Sequence, residues 1–286
     1  MRNNNNLLHN KGQIPKIIHY CWFGGKPIPE SLQECIDSWR LLEGYIVMRW
    51  DESNCSFDEN EFVRKTYREK QLGYIGDYFR LKALYEYGGI YLDTDVKVYR
   101  SFDDLLHYNA FFNFIFDCSV GSAIIGAQPG NTLIKNLLDM YDATIFGKNK
   151  SNKIFEWVDN QLIVNGYATS NYYYTYYILK HYPAFRLNNR FQDLDDFVIF
   201  PKEYFEIGTI TAKHYTIHLC SGEWRIKNDE TKSIKSEMKR MIAKWPALFD
   251  IVQIIVRKRR YEKLKKNIPF YSYYLAQRKG RELPDL

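Results

Sequence analysis

The stretch Gly88-Gly89-Ile90-Tyr91-Leu92-Asp93-Thr94-Asp95 leaves the chain few ways to fold locally. A short apolar run, bounded by a Gly-Gly turn on one side and by two carboxylates on the other, reads as a buried strand whose carboxyl end carries charge. Residues 76–87 just upstream read as a helix that Gly88 stops. On an extended backbone Asp93 and Asp95 would project to one side, offering two hard oxygen ligands to a single divalent ion and its diphosphate. Asp-x-Asp by itself is common and also describes an acidic turn, so the neighbours decide. In the helix, Asp77 and Arg80 share a stripe with Leu81 and Leu84, which carries both charges toward the core side. An internal ion pair would account for them. Buried charge is costly, however, and beside a second acidic pair it more readily builds a pocket for a polar ligand.

The front of the chain alternates strand and helix. Residues 16–22 are expected as a buried strand, 30–42 as a helix and 45–50 as a second strand. This pattern predicts a predominantly parallel sheet with its ligand site outside the carboxyl ends of the strands, where Trp22 and Asp93 emerge. Gly24-Gly25 does not make a dinucleotide fingerprint. Trp22, between an apolar strand and a Gly-Gly turn, fits either core packing or a flat wall for a nucleobase. His19, flanked by apolar residues, reads as structural.

Three blocks in order resemble one known family: residues 14–24 (Ile-Pro-Lys-Ile-Ile-His-Tyr-Cys-Trp-Phe-Gly), residues 76–95, and residues 217–224 (Ile-His-Leu-Cys-Ser-Gly-Glu-Trp). The chain is similar to the DXD-containing glycosyltransferases of the Och1-like, capsular-polysaccharide and clostridial glucosylating-toxin group, glycosyltransferase family 32-like. That resemblance implies an α/β fold of GT-A type, a Rossmann-like central sheet with flanking helices, spanning residues 14–225 between a loose tail (1–13) and a basic helical C-terminal segment (226–286). It implies a nucleobase on Trp22, donor contacts from Asp77, Arg80, Tyr91, Asp93 and Ser221, a Mn²⁺ or Mg²⁺ ion on Asp95 and His218, and Trp224 at the departing phosphate. The family's His-His-x-x-Gly-Ser-Trp pattern puts Glu223 where a serine is usual and leaves Ser221 two residues early. Either one is a candidate for the metal or the phosphate.

The activity so implied is retaining transfer of a hexose from a nucleotide sugar, with a UDP-sugar favoured, to a saccharide acceptor in capsular or other surface polysaccharide synthesis. Two other classes stand beside it. Asp93 and Asp95 after an apolar strand also suit a Mg²⁺-dependent phosphatase, although Lys97 occupies a position where that signature wants Thr or Val. A non-catalytic carbohydrate-binding protein is the third reading. It leaves the clustered charges without a purpose.

Charge is unevenly spread. Residues 226–286 hold 16 Lys and Arg against 7 Asp and Glu, whereas the rest of the chain holds 24 against 27. Two readings of the basic run 257–266 stand: a solvated face of helices packed on the catalytic domain, and peripheral contact with an anionic membrane that would carry lipid-linked acceptors. No nucleic-acid recognition motif accompanies the basicity. Five scattered cysteines without CxxC spacing, no long apolar run and no signal-like start predict a cytoplasmic enzyme, at most peripheral to the inner face of a membrane. Residues 121–130 are expected as strand and turn, 132–141 as a helix, and the tyrosines of 169–177 chiefly as packing.

Overall fold

The computed structural model describes residues 12–143, 155–158, 161–164, 170–209, 211, 213–220, 246–284 and 286. The first strand, β1 (Ile17–Cys21), pairs in parallel with β2 (Ile46–Trp50) on one side and β3 (Gly89–Leu92) on the other. Between them lie α1 (Glu30–Ser38), α2 (Glu61–Arg68) and α3 (Leu72–Tyr87). After β3 come β4 (Val96–Val98), β5 (Ala110–Phe116), β6 (Ser119–Val120), β7 (Ile124–Ala127) and α4 (Thr132–Ala143). Then follow the hairpin of β8 (Phe155–Val158) and β9 (Gln161–Val164), α5 (Ser170–His181), β10 (Gln192–Asp193), β11 (Val198–Phe200), α6 (Lys202–Phe205) and β12 (Thr216–His218). The chain ends in α7 (Pro246–Leu264) and α8 (Tyr271–Lys279).

The central sheet runs β10-β11-β5-β7-β3-β1-β2, with β6 added on β5. Its β2-β1-β3 half is parallel, as the alternation of strand and helix predicts. Beyond β3 it is mixed: β7 runs antiparallel to both β3 and β5, while β11 is parallel to β5. This is a Rossmann-like sheet with flanking helices, the architecture the resemblance implied. Strand residues alternate between two apolar layers, so that Tyr91, Phe112 and Phe114 enter one core and Ile90, Leu92 and Phe111 the other. A sheet covered on both faces explains why β3 is apolar throughout rather than alternating.

The Gly-Gly turn is required by backbone shape. Gly88 stops α3 at φ 63° and Gly89 follows at φ 104°; a Cβ on Gly89 would lie 2.6 Å from the carbonyl oxygen of Ile17. His19, fully buried on β1, fastens this turn. Its Nδ1 accepts from Trp50 Nε1 at 3.1 Å, which makes Nε2 the donor to the Gly88 carbonyl at 2.7 Å. The structural reading of His19 is the one these contacts support.

Where residues 169–177 are described, they open α5, and Tyr172, Tyr173 and Tyr174 are buried in the main core. Phe270, which precedes α8, and Tyr273 and Tyr274 within it join the same core. The basic run divides by side. Arg257 donates to the His218 carbonyl and Lys265 bonds Asp117 at 2.7 Å, whereas Lys258, Arg259, Arg260, Lys263 and Lys266 face solvent. Among the described residues no helix is long and apolar enough to cross a membrane.

Candidate active site

Because β1 and β3 run side by side in register, with Ile18 opposite Ile90, the residues that follow them leave the sheet at one edge. Trp22 and Asp93 are those residues. Trp22 is half-buried, packs against the second core, and donates from Nε1 to the Lys26 carbonyl at 2.7 Å. Asp93 turns toward α3, where Arg80 is 5% exposed. One guanidinium nitrogen of Arg80 meets Asp77 Oδ1 at 3.1 Å and another meets Asp93 Oδ1 at 2.9 Å. The guanidinium lies 4.5 Å from the centre of the Tyr91 ring and donates to Ser170 Oγ at 3.4 Å; Ser170 in turn donates to Ser122 Oγ at 2.9 Å. Arg80 Nε is buried with no hydrogen-bond partner among the described residues. Burial pushes the Asp77 carboxyl up to about 6, with Arg80 opposing and Asp93 adding to the rise. Four of the sequence-derived site residues are therefore in one cluster, with a buried cation between two carboxylates.

Asp93-Thr94-Asp95 departs from expectation in shape. It is not an extended segment with both acids on one side. Val96 N bonds back to the Asp93 carbonyl at 3.0 Å, closing a tight turn. The cause is β4, which starts at Val96 and leaves the central sheet to pair antiparallel with β12. The turn sends the two acids to different partners. Asp93 goes to Arg80, while Asp95, 9% exposed, meets His218 Nε2 at 3.2 Å. His218 arrives there through register, since it stands opposite Val96 in the β4-β12 ribbon and Leu219 N bonds the Asp95 carbonyl at 2.9 Å.

Burial disfavours a charge on His218, but Cys220 and the carboxylates of Asp95 and Glu206 outweigh it and raise the imidazole well above its ordinary range. Asp93, Asp95 and His218 each offer a ligand atom, and these atoms lie within 4.8 Å of one another. Carboxylate oxygens with one imidazole suit a hard divalent ion, so the residues present fit Mn²⁺ or Mg²⁺. Ser221, Glu223 and Trp224 lie outside the described residues.

Sequence reasoning missed Glu206, Asn113, Tyr261 and Arg257, which surround His218 on the side away from Asp95. For Glu206 a signal existed: a lone acid in Tyr204-Phe205-Glu206-Ile207 is a carboxylate in an otherwise apolar run. For Tyr261, one aromatic in a basic helix, the sequence offered no comparable cue.

Comparison with known proteins bears on the same segment. Residues 29–112 match the family model described as a glycosyltransferase sugar-binding region containing a DXD motif, a span that takes in Asp77, Arg80, Asp93 and Asp95. The chain is 33% identical over 129 residues to inositol phosphoceramide mannosyltransferase 3 of Schizosaccharomyces pombe, covering 42% of this chain and 35% of that protein. It is likewise 33% identical over 124 residues to mannosyl phosphorylinositol ceramide synthase CSH1 of Saccharomyces cerevisiae, covering 41% and 32%. The chain thus spans about a third of the length of these curated relatives. Among solved structures, a PaToxG glycosyltransferase aligns at 19% identity with a TM-score of 0.46, over 60% of this chain and 70% of that one. The matched region and the mannosyltransferase relatives agree: residues 29–112 are similar to a glycosyltransferase sugar-binding region containing a DXD motif.

Proposed function

We propose that this protein is a metal-dependent glycosyltransferase that moves a hexose from a nucleotide sugar to a saccharide-bearing acceptor, with retention at the anomeric carbon. One observation carries the reading: Asp93, Asp95 and His218 bring ligand atoms within 4.8 Å of one another, beside the buried Asp77–Arg80 pair. Residues 14–225 form the transferase unit in this reading and 226–286 a C-terminal segment, whose described helices α7 and α8 pack on that unit.

Asp95 and His218, joined by Ser221 or Glu223, would hold Mn²⁺ or Mg²⁺, and a cation there would offset the charge of the departing nucleoside diphosphate. Arg80 fixes Asp77 and Asp93 so that their free oxygens accept hydrogen bonds from the donor's sugar and ribose hydroxyls. Trp22 stacks the base, Tyr91 backs the ribose side, and Trp224 contacts the leaving phosphate. Among the described residues no carboxylate stands out as a covalent nucleophile, and a front-face substitution, in which the acceptor hydroxyl attacks as the diphosphate departs, accounts for retention.

The relatives' names bear on the sugar and the acceptor. The names of the curated relatives speak of mannosyl transfer and of inositol phosphoceramide, which adds mannose and a phosphorylinositol lipid to the UDP-hexose and capsular or surface polysaccharide that the sequence resemblance favours. A lipid-linked acceptor agrees with the exposed lysines and arginines of 257–266. Ile255 and Val256, 40% and 54% exposed, lie one turn earlier and support peripheral contact with an anionic membrane, with cytoplasmic action at its inner face. Incubation with Mn²⁺ or Mg²⁺ and a panel of UDP- and GDP-linked hexoses is expected to release nucleoside diphosphate from one donor, dependent on the metal. Cleavage of simple phosphate esters with no donor bound or hydrolysed would replace this reading with a phosphatase.

A further inference from the structure

The fully buried carboxylate of Glu206, just after α6, lies behind His218 on the side away from Asp95. Its Oε2 accepts from His218 Nδ1 at 2.8 Å and its Oε1 from Asn113 Nδ2 at 3.0 Å, and the Tyr261 hydroxyl approaches Oε2 at 3.5 Å. The two backbones are also joined, His218 N to the Glu206 carbonyl at 3.0 Å. The other neighbours of His218 are Cys220, whose Sγ is 3.6 Å from Nδ1 and 3.3 Å from the Tyr261 hydroxyl, and Arg257, which donates to the His218 carbonyl. Gly121 leaves the space for this arrangement: a Cβ there would lie 2.8 Å from Asn113 Nδ2 and 3.0 Å from Glu206 Oε1.

We propose that Glu206 is a positioning residue of the metal centre, fixing the proton of His218 on Nδ1 so that Nε2 faces Asp95 as a ligand. The inference rests on the metal-dependent reading above. An imidazole has two nitrogens and turns about its bonds to the backbone; a buried acceptor on Nδ1 selects one tautomer and one ring orientation, which strengthens the opposite nitrogen as a ligand. Asn113 and Tyr261 hold the acceptor in turn. Through Tyr261 and Arg257, α7 becomes part of the wall that sets the geometry of the donor site.

The test is Mn²⁺ binding to the full chain, followed by the electron paramagnetic resonance of free Mn²⁺, together with imidazole ¹⁵N shifts recorded with Mg²⁺. Glu206→Gln replaces one acceptor oxygen by an N–H donor that can invert the tautomer. It is expected to weaken Mn²⁺ about 10- to 100-fold, with turnover recovering as Mn²⁺ is raised. The His218 shifts should move from an Nδ1–H pattern toward a mixed one. Tyr261→Phe removes only the hydroxyl that approaches Glu206 and Cys220 and keeps the test available should the glutamine variant not fold; about a threefold weakening is expected. Wild-type Mn²⁺ affinity and unchanged His218 shifts in folded Glu206→Gln, or wild-type affinity in Tyr261→Phe, would overturn the proposal. A wild-type protein that binds no Mn²⁺ would instead overturn the metal-dependent reading on which it stands.

Discussion

The two charged clusters at the sheet edge are built in opposite ways. Asp77, Arg80 and Asp93 come from one helix and the end of the strand that follows it, with Arg80 and its second carboxylate 13 positions apart. Asp95, Glu206, His218 and Tyr261 come from four distant segments brought together by the β4-β12 ribbon and α7. The first cluster is a local α/β unit that forms when a helix packs on the strand it feeds. The second exists only when the whole chain has closed, and its members are tied by register as much as by side-chain contact. The difference predicts separable failures: substitutions in the distal cluster should act on chemistry more than on folding, and substitutions in the local one on both.

The largest effect is expected from Asp95→Asn. The amide keeps the size of the side chain and the nearby backbone bonds, including Leu219 N to the Asp95 carbonyl, but removes the charged ligand. Metal-stimulated turnover should fall about 10²- to 10³-fold, on the scale seen when a fixed electrostatic group is lost from an active site, with the urea midpoint close to wild type. Full activity in the variant would remove Asp95 from the centre, and an unfolded variant would erase the proposed separation between the clusters.

Arg80→Met tests the other side. It leaves the Asp77 and Asp93 carboxylates beside a buried thioether with no cation between them, and removing one partner of a buried ion pair costs about 3 kcal/mol or more. Stability by urea unfolding should drop by about that amount along with activity. A loss of activity with unchanged stability would mean that the local cluster contributes to ligand binding alone.

The same contrast explains what could be read from the sequence. The helix, the Gly-Gly stop, β3 and the charged stripe of Asp77 and Arg80 follow from spacing within twenty residues, where periodicity and turn chemistry act directly. The parallel β2-β1-β3 half was legible for the same reason. The antiparallel β7 was not, because its direction depends on which edge of β3 it meets and not on its own apolar run. The DXD turn was misread because β4 belongs to a different sheet, a fact carried by its pairing with β12 more than a hundred residues later. His218 was found through family resemblance, whereas Glu206 and Tyr261, which hold it from behind, have no local pattern that ties them to it.

The smallest expected effect concerns the hinge that delivers the local cluster. His19 spans β1 and the Gly88 carbonyl in its neutral form, and burial lowers its pKa to about 4 while the Gly88 hydrogen bond partly opposes that. In the unfolded chain its pKa is near 6.5, so below that value the unfolded state takes up a proton that the folded state refuses. The stability His19 contributes is thus complete above pH 6.5 and is lost progressively as pH falls toward 4. Between pH 7.5 and pH 5 the loss amounts to about 2 kcal/mol. His19→Gln can still donate to the Gly88 carbonyl but does not titrate, so the difference in stability between wild type and variant should shift in the variant's favour across that interval. Urea titrations at the two pH values measure it. A difference independent of pH would show that the imidazole keeps its ordinary pKa in the fold, and that the Gly-Gly turn is held by backbone geometry without a proton-sensitive clasp.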